Sequence, residues 1–333
     1  MSCSKPLVDA FNRRVTYLRL SVTDRCDLRC SYCMPERMTF LPRNEVLSLE
    51  ELHKLSLAMI DRGISKIRLT GGEPLVRRDM IELVRALGRK LGDGLEELTL
   101  TTNGTQLAQF ADDLAAAGVR RVNVSLDTLD AGLFEQLSRR DRLGQVLQGI
   151  QAAKEAGLRV KINTVALKGL NELEIPFLVE WAHANGHDMT LIEVMPLGEV
   201  DGERTDHYLP LTVIRDALDA RWTLTPNDTR SGGPARYVDI AETGGQLGFI
   251  TPLTNNFCAG CNRIRVTATG QLYACLGGVE QVDLRAALRS DRPEEQLAEA
   301  LDEAMRIKPE RHHFQIGEGL GPTQPRHMSL TGG

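Results

Sequence analysis

Cys26, Cys30 and Cys33 are separated by three and then two residues, just past a stretch rich in leucine and β-branched residues. Three thiolates can hold three corners of a cubane iron–sulfur cluster and leave the fourth iron without a protein ligand. An open iron of that kind can chelate the amino and carboxylate groups of a small molecule and set it beside a source of electrons. Structural zinc wants four closed ligands, and no fourth lies nearby. Tyr32, between the last two cysteines, is placed to cover a bound aromatic ring. The plainer alternatives are incidental cysteines in a loop, or a zinc loop completed from elsewhere in the chain.

A second triplet stands far downstream. Cys258 and Cys261 are two residues apart, and Cys275 follows after thirteen more. Arg263–Thr267 leads away from the pair, Gly270 turns, and Leu272–Cys275 returns, so a hairpin can gather the three thiols. Zinc completed by His312, His313 or His327 is one reading, because three cysteines and a histidine are an established zinc set. The other is a second cluster, again with an open iron. Cys3 stands alone and takes no role.

Charges sit where charges are awkward. Arg19, Arg68 and Lys161 each interrupt an apolar strand pattern and share a strand face with small polar residues. Burying an unpartnered cation is costly, so three of them on separate strands point to a bound polyanion. Arg263 and Arg265, two apart after Cys261, could extend the same well. Thr70-Gly71-Gly72-Glu73-Pro74 closes the second strand, and its two glycines allow a close backbone approach.

The elements that must carry these groups are six strand–helix units between residue 15 and about 195. The strands are expected at Val15–Val22, Lys66–Thr70, Glu97–Thr102, Arg121–Leu126, Arg159–Val165 and Met189–Met195. Ser48 with Glu51 forms a capping box for a helix ending at Gly63. Helices at Gln106–Ala117 and Leu143–Ala156 stop at Gly118 and Gly157, and Asn171 with Glu174 reads as another start signal. Such alternation implies a parallel sheet with right-handed crossovers, either open or a partial barrel. Beyond Met195 the pattern changes to a loop over 196–210, a helix over 211–220, short strands over 222–275 and helical runs over 282–306. The end, from Lys308 to Gly333, shows no periodicity. The organisation expected is a barrel over 1–209 and a smaller domain over 210–333.

The formal net charge of −5 argues against a chain that coats nucleic acid or an anionic membrane. No apolar run approaches the roughly 20 residues of a membrane span. The first twelve residues lack a secretory or organellar pattern, so the expected compartment is the cytoplasm. Seven cysteines, six of them in two tight groups, read as metal sites rather than a disulfide framework.

The first cysteine triplet and Gly71-Gly72-Glu73-Pro74 resemble the radical S-adenosylmethionine superfamily, whose cluster loop and methionine-binding segment they match. That resemblance implies a partial (β/α)6 barrel of the TIM type, in agreement with the strand count. Nearly end to end, the chain is similar to the GTP 3′,8-cyclase family of molybdenum cofactor biosynthesis. The likeness is carried by Tyr17–Cys26, Leu69–Leu75, Thr101–Gly104, Val124–Asp127, Glu193–Gly198 and Phe257–Arg265, with Gly332-Gly333 at the end. The segment around Cys258 is the most specific of these.

The resemblance implies two [4Fe–4S] clusters, one on Cys26, Cys30 and Cys33 and one on Cys258, Cys261 and Cys275. It places Tyr32, Gly72, Ser125 and Met195 around S-adenosylmethionine. Arg19, Arg68, Thr101, Lys161, Arg263, Ile264 and Arg265 would bind GTP, with the Gly332-Gly333 tail reaching into the site. The implied reaction is hydrogen abstraction at C3′ of GTP by a 5′-deoxyadenosyl radical, then bonding of C3′ to C8. The product, 3′,8-cyclo-7,8-dihydro-GTP, would pass to the cyclic pyranopterin monophosphate synthase, and an electron donor is required. A homodimer is compatible with the chain; nucleic-acid and membrane partners are not expected. Two positions depart from the family habit: Asp27 replaces a common Asn, and Thr331 a common Ile. The competing readings are a radical peptide-modifying enzyme, which usually has more C-terminal cysteines, and a catalytically inert zinc-binding interaction module.

Overall fold

The computed structural model describes residues 5–198, 200, 204–229, 232–254, 258–312, 314, 324 and 326–332. Six strands run in chain order: β1 (Tyr17–Ser21), β2 (Lys66–Thr70), β3 (Glu97–Thr102), β4 (Arg121–Ser125), β5 (Arg159–Ala166) and β6 (Asp188–Glu193). Each pairs in parallel with the next, and helices cover the outer face. Of these helices, α1 (Leu49–Asp61), α2 (Met80–Gly88) and α3 (Leu107–Ala116) come first. Next are α4 (Ala131–Ser138), α5 (Leu143–Glu155) and α6 (Ile175–Ala184). Alternation along each strand separates the two faces. Leu18, Leu20, Ile67, Leu69, Leu100, Val122 and Val124 turn outward and are fully buried beneath the helices. The intervening positions, among them Arg19, Arg68 and Lys161, turn inward.

Local signals explain the helix limits in most cases. Both bonds of the Ser48–Glu51 capping box are made. Gly118 and Gly157, at φ +87° and +80°, end α3 and α5 in the left-handed region that glycine tolerates best. Asn171 and Glu174 work differently from a start signal. The Asn171 amide donates to Asp127 O and Val165 O, and Glu174 accepts from Thr128 Oγ1 and Leu129 N. The pair ties the ends of β4 and β5 together instead of capping α6, where Glu174 makes no side-chain cap.

The later segment begins with α7 (Leu211–Asp219), β7 (Leu224–Asn227), β8 (Arg236–Ile240) and β9 (Gly245–Ile250). After these come β10 (Arg263–Val266), β11 (Gln271–Tyr273), β12 (Gln281–Asp283), α8 (Leu284–Leu288) and α9 (Pro293–Arg306). Its strands continue the same sheet, in the order β12-β11-β10-β1-β2-β3-β4-β5-β6-β9-β8-β7. β10 lies parallel to β1, and β9 parallel to β6. Each is followed outward by antiparallel strands, so both open edges of the six-unit barrel are extended from the C-terminal segment. The expected hairpin is present, with β10 and β11 antiparallel across Gly270. Where no periodicity was legible, a short helix α10 (Met328–Thr331) docks against β1. No helix among the described residues is long and apolar enough to cross a membrane.

Candidate active site

All six cysteines of the two triplets line one cavity, together with Arg19, Arg68, Lys161, Arg263 and Arg265. Their positions along the sheet follow from register. Tyr17 opposes Arg263, two residues past Cys261, whereas Ser21 ends β1 on the side leading to Cys26. The triplets therefore flank opposite ends of β1. Four residues at about 3.3 Å each leave roughly 13 Å between those ends. The lumen side chains between them form rows across neighbouring strands. Arg265, Arg19 and Arg68 make one row, and Arg263, Tyr17 and Lys66 the row beneath it. Thr101, Asn123 and Lys161 continue the lining across β3, β4 and β5.

The loop after β1 carries the first triplet and is held by the end of β2. Gly72 N donates to Thr23 O at 2.8 Å and Glu73 N to Arg25 O at 2.8 Å. A side chain at Gly71 would meet Thr23 O at 2.5 Å, and one at Gly72 would strike Arg25 O. The two glycines line the cavity, but the close approach they permit is to the cysteine loop itself. The amides of Gly72 and Glu73 are spent on that loop and are not offered to a ligand. Glu73, fully buried, accepts from Leu75 N, Thr102 Oγ1 and Asn103 N, so β2 and β3 end in one clamp. Burial lifts its carboxyl to about 7. Asn103 also donates to Asp27 Oδ1 at 2.7 Å and reaches Cys26 Sγ at 3.6 Å. Asp27, the residue departing from family habit, additionally accepts from Thr105 Oγ1 at 2.6 Å. Tyr32 donates to Asp127 Oδ2 at 2.6 Å, which fixes its ring at the wall of the cavity that Ser125 and Met195 also line.

Electrostatics set Cys261 apart from Cys26, Cys30 and Cys258, all three of which burial raises. Burial, then the Glu73 carboxylate, pushes the Cys26 thiol up to about 12, and burial with the neighbouring thiols raises Cys30 well above its ordinary value. Such thiols are poor anions unless a metal takes the proton's place. At Cys261 burial acts in the same direction, yet Lys308 and Arg263 outweigh it and hold the thiol below its ordinary value. No disulfide involves any of the six. Among the described residues no three His, Cys, Asp or Glu side chains gather closely enough for a single metal ion. Each triplet offers three thiolates, the donor set that a cubane with one open iron accepts. His312 lines the cavity and His313 lies outside the described residues.

Two cations of these rows, Arg19 and Arg68, keep a buried donor without a partner among the described residues. Arg19 and Arg68 are each 8 % exposed and Lys161 5 %. Burial lowers Arg68 to about 10, and burial with repulsion from Arg19 and Arg263 drives Arg265 down well below its usual range. Guanidiniums remain protonated in proteins, so these directions report the cost of crowding them without an anion. Arg19 Nε, Arg68 Nε, Thr70 Oγ1, Thr101 Oγ1 and Tyr17 Oη find no partner among the described residues. A nucleotide polyphosphate matches that set of vacant donors. Ile264, 1 % exposed, lies between the two arginines on β10. Arg265 donates to Gly332 O and to Thr331 O, which brings the tail to this row. A methyl on Gly332, at φ +73°, would strike Thr70 Oγ1. Gly333 lies outside the described residues.

Three participants escaped sequence reasoning. Tyr17 is fully buried with its ring against Arg19, Lys66 and Arg68, and Tyr237 on β8 accepts a hydrogen bond from Lys161. Lys66 pairs with Glu97 at 2.5 Å. The signal for Tyr17 and Lys66 was available: each stands two residues before a lumen arginine on its strand, hence on the same face. Tyr237 comes from a distant segment and left no such trace.

Comparison with known proteins follows the same division. The Radical SAM superfamily profile matches residues 20–207, and the profile described as Molybdenum Cofactor Synthesis C matches residues 187–314. The chain is 71% identical to the GTP 3′,8-cyclase of Erythrobacter litoralis (strain HTCC2594), over 98% of each chain. It is 58% identical to the GTP 3′,8-cyclase of Sinorhizobium medicae (strain WSM419), over 100% of this chain and 96% of that one. Among solved structures, Streptococcus suis SuiB bound to S-adenosylmethionine has a TM-score of 0.60 at 19% identity, covering 91% of this chain and 66% of that one. Native anSMEcpe with bound AdoMet gives 0.57 at 16% identity, covering 85% and 83%. At these identities the two structures speak to the fold alone.

Proposed function

The chain belongs to the GTP 3′,8-cyclase family of radical S-adenosylmethionine enzymes, and from that premise we propose how its residues divide the work of converting GTP to 3′,8-cyclo-7,8-dihydro-GTP in molybdenum cofactor biosynthesis. Cys26, Cys30 and Cys33 hold a [4Fe–4S] cluster, and Cys258, Cys261 and Cys275 hold a second. When bound, the first cluster and S-adenosylmethionine supply the carbon-centred radical that takes the hydrogen from C3′ of GTP. Tyr32, locked by Asp127, lines the adenosine side with Gly72, Ser125 and Met195. The triphosphate lies along Arg19, Arg68, Thr101, Lys161, Arg263 and Arg265, which sets the ribose between the triplets and the guanine toward the second one. Ile264 packs behind the arginines of β10, and the Gly332-Gly333 tail closes on Arg265.

The protein's contribution is positioning and exclusion of water, because the reacting carbons belong to the ligands. A triphosphate answers the Arg19 and Arg68 donors and the nearby hydroxyl groups, so its binding relieves repulsion among the crowded cations. Residues 1–209 provide the S-adenosylmethionine side and residues 210–333 the wall that faces the base. An external one-electron donor and a reducing cytoplasm complete the requirements. The product would go to the cyclic pyranopterin monophosphate synthase, with no contact between the two enzymes required.

The observation that carries this reading is one cavity lined by both cysteine triplets and by buried cations, of which Arg19 and Arg68 keep a side-chain donor without a partner among the described residues. The test is anaerobic reconstitution with S-adenosylmethionine, a strong reductant and GTP deuterated at C3′. Deuterium is expected in the 5′-deoxyadenosine formed. Abundant unlabelled 5′-deoxyadenosine, unchanged when GTP is left out, would keep the radical chemistry and remove this assignment of the GTP site.

A further inference from the structure

Lys308 follows α9 and is 3 % exposed. Its ammonium donates to Ala274 O at 2.6 Å and to Arg263 O at 3.0 Å, and reaches Cys261 Sγ at 3.8 Å. Ala274 immediately precedes Cys275, and Arg263 stands two residues after Cys261, so one buried cation touches the chain beside two ligands and the sulfur of one. Three acceptors use the three N–H bonds of the group, and none of them is a carboxylate. A buried ammonium in that position needs a counter-charge. Arg13 offers the contrast. It too grips this region, donating to Cys258 O at 3.0 Å and Pro309 O at 2.6 Å, but its charge is matched by Asp9 at 2.6 Å. Arg13 is a neutralised strut, whereas among the described residues Lys308 pairs with no carboxylate and faces the Cys261 sulfur.

The first triplet has more acidic surroundings. Asp27, Glu73 and Asp127 bear on Cys26 and Cys30, while Arg29 donates to Cys26 O at 2.5 Å. Around the second, Lys308 and Arg263 bear on Cys261, while Arg326 donates to Cys275 O at 3.4 Å. Arg263 belongs to the nucleotide well. Lys308 does not line the cavity, so its charge acts on the metal site without touching the substrate. A cubane on three thiolates is already anionic and gains a further negative charge on reduction, and nearby fixed charge is one of the levers on its potential.

We propose that Lys308 is a positioning and tuning residue of the second cluster, the fixed positive charge that makes it easier to reduce. The inference rests on the reading that Cys258, Cys261 and Cys275 hold a [4Fe–4S] cluster. The test uses the full chain with Cys26, Cys30 and Cys33 replaced by alanine, reconstituted with iron and sulfide, so that any signal belongs to the second site. Its one-electron reduction is followed by paramagnetic resonance against potential. Lys308→Met should shift the reduction equilibrium at least about tenfold toward the oxidised form, ~59 mV for one electron, while Lys308→Arg stays within about threefold. Coincident titrations of the Met variant and the Lys308-bearing chain would overturn the proposal. If the Met variant takes up no cluster, the Arg variant decides: about four irons per chain support the role of charge, and none overturns it. A Lys308-bearing chain that binds zinc or no metal would instead mark failure of the cluster reading, and the inference would fall with it.

Discussion

Tyr17 holds its phenol among Arg68, Arg19 and Lys66, and although burial would raise its pKa, these charges bring it down to about 7. Lys161 also falls to about 7, first through burial and then through Arg121 and Arg68. Between pH 7 and about 10 the folded chain thus binds fewer protons than the unfolded one at both groups, so stability without nucleotide rises with pH across that window. A triphosphate reverses both preferences, since an anion favours charged Lys161 and neutral Tyr17. Binding then takes up protons, and GTP affinity should fall as pH climbs above 7, by up to roughly tenfold per pH unit for each proton. Equilibrium dialysis from pH 7 to pH 9 measures it, with Tyr17→Phe and Lys161→Met each expected to flatten part of the slope. An affinity independent of pH in the unaltered chain would contradict the charge arrangement. The lumen cations were legible because a charge inside an apolar strand stands out. Tyr17 was passed over although it shares a strand face with Arg19, because tyrosine is an ordinary strand residue and its neighbours across the sheet supply most of its special environment.

Loops and strand ends do at the next scale what side chains do in the lumen. The cysteine loop has little regular structure and takes its position from β2, through Gly72 N to Thr23 O and Glu73 N to Arg25 O. Gly72→Ala would set a methyl against Arg25 O and, at 2.8 Å, Asp24 O, both backbone atoms that cannot swing away. We expect this variant to fold and to bind GTP, yet to retain only about four of about eight irons and form little 5′-deoxyadenosine. Iron and sulfide analysis after reconstitution checks it; full iron and full turnover would show that the loop tolerates the shift. Strand positions were readable almost to the residue, with Lys66–Thr70 and Glu97–Thr102 as expected, because each is a short apolar run between turn signals. Asn171 and Glu174 misled because capping residues also bridge loops, and only tertiary contacts decide between the two uses. α10 was unreadable for the same reason: four residues cannot hold a helix alone, and this one leans on Arg265 and Thr70.

For the molecule as a whole, the decisive pairings join segments far apart in sequence. β10 returns to lie parallel to β1, and β9 to β6, so the C-terminal segment supplies neighbours to both open edges of the six-strand barrel. Local periodicity shows that residues 222–275 form short strands but says nothing about their partners, which is why they read as a separate small domain. Long-range parallel pairing also carries a loop-closure cost, repaid only when the edges are covered. Without that cover, β1 and β6 would present unpaired N–H and C=O groups beside an apolar face, a template for association with other chains. A chain ending at residue 209 should therefore aggregate or melt without cooperativity, although it keeps the whole first triplet, all six strands and the helices α1 to α6. Size-exclusion chromatography and thermal unfolding of residues 1–209 beside the full chain test this. A monomeric fragment with its own sharp transition would establish the first 209 residues as an independent domain. Failure to fold would mean that the wall facing the base and the wall binding S-adenosylmethionine are one cooperative unit, in which a change beside the second triplet reaches the first through β1.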